Sequence, residues 1–432
     1  MAPALQSSFS MARPWVLRGW RLAILVGIAV AVLLLLLAQD QETLTITSPV
    51  AAADPRFAEY VASLTGTPVE AGDAYQVLRN GDDVFPAMLD AIDRATRRIS
   101  FESFIYEDGT VGDQFTDALV AAAGRSVDVR IVLDAIGSAL SSASQNRLTT
   151  AGAKLAWFNT IRPWTVEETN YRTHRKVLVV DGTVAFAGGI GLADHWQGHA
   201  QSPAHWRDTQ FKVTGPAVRA LEASFYENWL ESGGLSAPAL DAERPSQRTG
   251  ARSLVIWSNP TGGASRIKLL FLLSIAGARQ TIDIQSPYFV LDESSRWSLA
   301  EARKRGVRVR LLTDGDVTDA RPVKDASREA YQSLLDEGFE IYEYQPTMMH
   351  VKAMVVDGIW SLFGSANFDN RSFELNDELT VAVQDPELAA TLTRDFETDL
   401  AKSTKLDAAT WRHRSVWQKT RELFWAQFGE LF

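Results

Sequence analysis

Two segments of this sequence carry the same chemically capable residues at the same spacing. His174-Arg175-Lys176 leads to Asp181-Gly182, and His350-Val351-Lys352 leads to Asp357-Gly358, so both read H-x-K-x4-D-G, 176 residues apart. The first continues to Gly188-Gly189-Ile190-Gly191 and the second to Gly364-Ser365-Ala366-Asn367, with a glycine fourteen positions after each histidine. A neutral imidazole can attack phosphorus, and an imidazolium can hand a proton to a departing oxygen. An ammonium two residues along a strand shares the face of the histidine and can neutralise an anionic oxygen. Taken together, the doubled pattern suits phosphodiester chemistry without a metal. One histidine forms a phosphohistidine, the other protonates the leaving group, and Lys176 and Lys352, helped by Ser365 and Asn367, hold the charge that builds on phosphorus. No metal-ligand cluster is visible, and none is required.

The elements that must position these groups follow from the flanking residues. Each motif leads into an apolar run and an Asp-Gly pair, a two-residue hairpin signal. With that turn, His174 falls opposite Gly189 and His350 opposite Ser365, where a glycine-containing backbone can approach an anion. Alternation puts Asp181 and Asp357 on the other face, so these motif carboxylates read as structural and not as direct partners of phosphate. His195, His199, His205 and His413 lack a repeated context and read as ordinary structural residues.

The surrounding chain is also written twice. Ala91 through Ser103 resembles Ser274 through Ser286 at an offset of 183, and Val127 through Asp134 matches Val307 through Asp314 at an offset of 180. Each pair has the helix and apolar-strand order of a β-α-β unit, which predicts an α/β fold with parallel strands and two halves related by a pseudo-twofold axis. Both motifs lie in one chain, so no obligate dimer is expected.

Composition narrows the field further. The absence of cysteine removes disulfides, thiolate metal sites and thiol catalysis. The net charge of −10 is unevenly placed: Arg13, Arg18 and Arg21 precede any acid, leaving −13 on the rest, a poor general binder of nucleic acid. Leu22 to Ala38 is seventeen residues without a polar side chain, preceded by Trp15, Trp20 and the arginines. At about 1.5 Å per residue it reaches about 26 Å, enough for a membrane anchor whose arginines stay in the cytoplasm. A cleaved signal peptide ending near Val50-Ala51-Ala52-Ala53 is the rival, disfavoured because the run is long and the alanines lie far beyond it. From Trp411 to Phe432, Val416, Trp417, Leu423, Phe424, Phe428 and Leu431 make a helical apolar stripe among basic residues, the pattern of an interfacial helix.

The doubled motif resembles that of the phospholipase D superfamily, and within it the sequence is similar to bacterial cardiolipin synthases. Supporting stretches are Asp134-Ala135-Ile136-Gly137-Ser138, Trp206-Arg207-Asp208, Ser286-Pro287-Tyr288-Phe289 and Arg371-Ser372-Phe373-Glu374-Leu375-Asn376. The resemblance implies two tandem phospholipase D-like half-domains behind an N-terminal transmembrane helix. It implies a tail at 1–21, anchor at 22–38, linker at 39–75, halves at 76–232 and 254–402 joined by a linker at 233–253, and a C-terminal amphipathic helix at 403–432. It assigns catalysis to His174, Lys176, Asp181, His350, Lys352 and Asp357, with His174 as nucleophile and His350 as acid, the reverse being open. Gly189, Ser365 and Asn367 are expected at the substrate phosphate. An acidic residue about thirty positions after each histidine is implied to hydrogen-bond its imidazole, and Asp208 and Glu378 fit. Gly191 stands where the family pattern has Asn, so one amide contact is expected to be missing. The implied activity joins two phosphatidylglycerols into cardiolipin and glycerol at a bacterial inner membrane, with the body on the periplasmic face and no cofactor. Hydrolysis to phosphatidic acid and, less favoured, nuclease action are the alternatives.

Overall fold

The apolar runs on either side of each Asp-Gly form hairpins, and both hairpins belong to one sheet of fifteen strands. The computed structural model describes residue 27 and residues 43–160, 170–237, 240, 250–259 and 266–429. The expected tail at 1–21 and, Gly27 aside, the expected anchor at 22–38 lie outside the described residues. Among the described residues no helix is long and apolar enough to cross a membrane.

In chain order the strands are β1 (Glu70–Arg79), β2 (Arg98–Ser103), β3 (Asp128–Asp134), β4 (Lys154–Phe158), β5 (Val177–Val180), β6 (Val184–Gly188) and β7 (Thr209–Thr214). The second half supplies β8 (Ala251–Trp257), β9 (Thr281–Gln285), β10 (Arg308–Asp314), β11 (Glu340–Tyr344), β12 (Ala353–Val356), β13 (Trp360–Gly364), β14 (Leu379–Gln384) and β15 (Ser403–Lys405). Outward from the antiparallel pair β1–β8, one side runs β7, β6, β5, β2, β3, β4. The other runs β14, β13, β12, β9, β10, β11, and β15 is added at its edge. Each strand of the first half thus has a counterpart at the same distance from the centre. The outer strands β2-β3-β4 and β9-β10-β11 are parallel, and helices such as Thr110–Gly124 and Glu293–Lys304 make the crossovers.

Each half buries its own core, Ile99, Phe115 and Ile131 in the first and Leu270, Ile282 and Trp360 in the second. A third cluster crosses the seam, where Phe211 of β7 stacks on Phe363 of β13 with ring centroids 3.6 Å apart. Burying one such ring contributes about 1.5–3 kcal/mol, so the seam is packed as a core and not as a hinge.

Several sequence expectations change. Val180 pairs with Val184 and Val356 with Trp360, so each hairpin turn takes three residues where two were expected. Asp181 and Gly182, at φ 54° and 63°, and Asp357 and Gly358, at 52° and 64°, all occupy the left-handed region that Asp and Gly tolerate best. A slip of one residue changes which side chains share a face, so the register does not set Gly189 and Ser365 opposite the histidines. The expected linker at 39–75 contains a helix, Phe57–Thr65, whose Phe57 meets Trp360 edge-on at 5.1 Å. Ala52 is buried, and its N–H donates to Gly277 O at 2.9 Å, so the alanines of the cleavage reading are built into the second half. Within the expected 233–253 linker, β8 already begins at Ala251, while residues 238–239 and 241–249 lie outside the described residues. The expected C-terminal helix is broken into β15 and helices Ala408–Arg412 and Val416–Ala426, the last capped by Ser415 on Gln418 N at 3.1 Å. Glu422 is buried against Arg414, which lies over Trp411, while Val416, Trp417, Leu423 and Phe424 stay exposed.

Candidate active site

Strand alternation presents His174 and Lys176 to one side and sends Arg175 through to the other, where it donates to Ser224 O and Glu227 at 2.7 Å each. The segment entering each motif is docked on the opposite half. Arg172–Thr173 pairs in parallel with Asn376–Asp377, and His174 N–H donates to Asp377 O at 2.9 Å. In the same way Arg207 N–H donates to Met348 O at 2.8 Å and His350 N–H to Arg207 O at 2.7 Å. The residue after each of these docking segments is a carboxylate, and its position beside the foreign histidine exchanges the expected pairing. Glu378 Oε1 lies 2.8 Å from Nδ1 of His174, and Asp208 Oδ2 lies 2.7 Å from Nδ1 of His350.

The seats of these carboxylates differ. Glu378 accepts from the Ser365 hydroxyl, which itself accepts from Leu379 N–H at 2.9 Å, and from Asn376 Nδ2 at 3.3 Å. The shorter Asp208 accepts from Trp196 Nε1 at 3.1 Å and from Thr209 N–H at 2.8 Å. A Cβ at Gly189 would stand 2.4 Å from Asp208 Oδ1, so the missing side chain leaves room for that carboxylate. Gly189 and Ser365, expected at the phosphate, therefore shape the seats of Asp208 and Glu378. Asp181 and Asp357 do not line the cavity either. Asp181 accepts backbone N–H from Thr96, Arg97 and Arg98 at 2.8–3.0 Å, and Asp357 from Arg279, Gln280 and Thr281 at 2.8–2.9 Å. They tie each hairpin turn to the start of β2 or β9, at the end of the strand away from the histidine.

His174, Lys176, His350 and Asn367 line one cavity of about 380 Å³. Because Nδ1 of each imidazole is engaged by a carboxylate, Nε2 is the nitrogen each has for chemistry. Lys176 Nζ donates to His174 O at 2.8 Å, and Lys352 Nζ donates to His350 O at 2.8 Å while lying 3.0 Å from His350 Nε2. Asn367 Oδ1 has no hydrogen-bond partner among the described residues. Burial lowers both imidazoles below the ordinary histidine range and both lysines add to it, but at His174 the Glu378 carboxylate works against them, so His350 is lowered further. Burial opposes ionisation of Glu378, but His174 and Lys176 outweigh it and hold that carboxylate low, whereas burial pushes Asp208 up to about 6. Burial also brings Lys176 down to about 7, with Lys352 adding to the effect, and Lys352 down to about 8. Such a site gains its full positive charge when an anion enters. Among the described residues no group of three or more His, Asp or Glu side chains is placed to hold a metal ion.

Several residues at the site were not read as functional from the sequence. Phe104 meets His174 at 5.2 Å and lies under Lys176 at 5.4 Å. Trp206 and Trp196 pack on His350 at 5.3 and 5.6 Å, and His195 packs at a tilt against both indoles. Arg172 and Arg371 line the cavity. The run Trp206-Arg207-Asp208 was legible as a unit, but no spacing rule brings Arg371 to His174. Gly191 has a packing reason. A Cβ there would lie 3.0 Å from both Ile105 Cβ and Trp196 Cζ3, so the expected Asn would need both neighbours to give way.

The comparisons agree with this architecture. The family described as "Cardiolipin synthase, PLD-like domain" matches residues 88–197 and 272–400, one stretch in each half. Cardiolipin synthase 1 of Bacillus anthracis is 32% identical over 393 residues, covering 88% of this chain and 77% of that protein. A cardiolipin synthase of Geobacillus sp. (strain WCH70) is 33% identical over 355 residues, covering 81% and 70%. Among solved structures, phosphatidylserine synthase of Haemophilus influenzae Rd KW20 superposes with a TM-score of 0.66 at 14% identity, covering 86% of this chain and 97% of that one, a likeness of fold.

Proposed function

The chain belongs to the cardiolipin synthase family of phospholipase D-like proteins, and from that premise we propose that it condenses two phosphatidylglycerols to cardiolipin and glycerol through a histidine-bound phosphatidyl group. The observation that supports this most is the pair of buried imidazoles in one cavity, each with Nδ1 engaged by a carboxylate from the opposite half. Nε2 of His174 attacks phosphorus, the bond to the glycerol oxygen breaks, and His350 gives that oxygen its proton. A second phosphatidylglycerol then loses a hydroxyl proton to His350, its oxygen bonds to phosphorus, and the phosphorus–nitrogen bond breaks. Glu378 and Asp208 hold the rings in the required tautomer and favour the charged forms. Lys176, Lys352 and the Asn367 amide neutralise the equatorial oxygens as negative charge grows.

The lipid partner and the membrane setting belong to the same reading. Its supports are the apolar run Leu22 to Ala38 in the sequence and the exposed Val416, Trp417, Leu423 and Phe424 on the last long helix. That helix packs on Arg321–Asp336, whose Val323 lines the cavity. On this reading the chain works at a bacterial inner membrane, with a single-pass anchor and the body on the periplasmic face.

The test is to incubate the purified full-length chain with phosphatidylglycerol vesicles and identify the products. Cardiolipin plus glycerol is expected, while phosphatidic acid as the main product would replace transfer by hydrolysis. His174→Ala and His350→Ala are each expected to remove nearly all turnover, and half-activity in either would overturn the two-histidine scheme. Acid-labile labelling of the protein that persists in His350→Ala and vanishes in His174→Ala would identify the nucleophile, and the opposite result would exchange the roles.

A further inference from the structure

The two halves match strand for strand, but the side chains around the cavity do not. At the offset that aligns the motifs, Arg371 stands where the first half has His195, Asn367 where it has Gly191, and Arg172 where the second half has Met348. In the segments before the carboxylates, Asn376 corresponds to Trp206. On the His350 side the first half's positions are filled: His195 packs at a tilt against Trp206 at 4.0 Å, Trp206 meets Trp196 at 4.9 Å, and Gly191 is closed in by Ile105. On the His174 side Arg172, Arg371, Asn367 and Asn376 line open cavity. A symmetric scaffold has acquired one aromatic wall and one polar lobe, in which two arginines stand beside Asp319 and Asp369.

The lobe is a built one. Arg371 donates from Nη1 to Asn170 Oδ1 and from Nη2 to Asn170 O, at 3.0 Å each, and Nη1 of Arg172 lies 3.5 Å from Asp134 Oδ1. Among the described carboxylates nearby, Asp319 and Asp369 share the cavity wall with the arginines, and each of the following also accepts from another donor. Asp134 accepts from the N–H of Ile136, Gly137 and Thr173, Asp369 from Ser372 N–H, and Asp319 from the Tyr288 hydroxyl. The reacting phosphate is matched by Lys176 and Lys352, so two guanidinium groups beyond them are suited to a second anion.

We infer that this lobe seats the acceptor lipid's own phosphodiester, with Arg371 as its principal contact, so that the site selects an anionic lipid alcohol over water or a neutral alcohol. The inference rests on the transfer reading above. In phosphatidylglycerol a three-carbon glycerol joins the attacking hydroxyl to its phosphate. When that hydroxyl reaches the phosphoryl group on the imidazole, a second negative phosphate is drawn into the same buried space and repels the first unless a fixed cation meets it. Water and glycerol bring no such charge and gain nothing from the lobe.

The experiment compares two reactions of the full-length chain on phosphatidylglycerol vesicles: cardiolipin formation, and exchange of the head group with labelled glycerol. Arg371→Gln is expected to lower cardiolipin formation at least ten-fold more than exchange, through a higher apparent constant for the acceptor. Arg371→Lys, which keeps the charge without the fork, is expected to fall between it and the wild type. Equal loss of both reactions in a variant that melts like the wild type would overturn the inference while leaving the transfer reading standing. If Arg371→Gln does not fold, Arg371→Lys decides by the same ratio. A wild-type chain that exchanges glycerol or makes phosphatidic acid but no cardiolipin would overturn the transfer reading itself, and this inference with it.

Discussion

His174 is oriented by Glu378, a carboxylate 204 residues away in the other half of the chain, and His350 by Asp208 in return. The exchange follows from the docking of Arg172–Thr173 on Asn376–Asp377 and of Met348–His350 on Arg207. Neither half contains a complete histidine–carboxylate pair, so the active unit is the fused sheet.

Glu378→Gln keeps the shape of the carboxylate and removes its charge. It is expected to lower kcat by about 10²–10⁴-fold and to depress the titration of His174 further while leaving that of His350 in place. Asp208→Asn should do the converse. Histidine titrations followed by NMR in both variants check the crossing, and a response of His350 to Glu378→Gln would contradict it.

Asp357→Ala tests whether the motif's carboxylate is structural. It leaves the N–H groups of Arg279, Gln280 and Thr281 without their acceptor, so a stability loss of about 1–3 kcal/mol is expected in denaturant unfolding. Turnover per folded molecule should stay within about two-fold of the wild type, because this carboxylate lies outside the cavity. A collapse of kcat at unchanged stability would restore it to the chemistry.

Gly191→Asn supplies the amide that the family pattern has at this position, but the structure predicts a loss. The new side chain presses on Ile105 and on Trp196, whose indole N–H holds Asp208, the partner of His350. Overpacking of this kind costs about 1–3 kcal/mol, and turnover should fall with it. A more active and equally stable Gly191→Asn enzyme would show that Ile105 and Trp196 leave room for the amide.

The lysines contribute to the alkaline limb of the pH profile. In the empty site Lys176 and Lys352 are brought down to about 7 and about 8, so raising pH through that window removes the positive charge that an anionic phosphodiester needs. kcat/KM, which reports the free enzyme, is expected to fall there. The limb of kcat should lie at higher pH, because bound phosphate favours the charged lysines. Coincident limbs in the two profiles would show that the lysines do not titrate against substrate.

How much was legible depends on how local the determinant is. The duplication, the α/β order and both motif histidines with their lysines were readable, because a repeated pattern of residue types over a dozen positions records strand alternation and turn chemistry directly. The hairpin register was not, since one extra residue in the left-handed turn at Asp181-Gly182 leaves the pattern of apolar residues unchanged. Nor was it legible that Ser365 and Gly189 adjoin carboxylates, because Glu378 and Asp208 stand just ahead of β14 and β7, whose pairing with the hairpins the local sequence does not name. The linker expected at 39–75 concealed the helix Phe57–Thr65, which has no side-chain N-cap and packs through Phe57 on Trp360 and the second core.

By itself the sequence determined the chemistry available to this protein: two imidazoles and two ammonium groups on equivalent strands, with no thiol. Only the tertiary structure decided which carboxylate serves which imidazole, that the motif aspartates are turn anchors, and that one side of the cavity is aromatic while the other carries two arginines. These are outcomes of packing between segments far apart in the chain, where contact depends on the relative placement of two halves and not on the spacing within either.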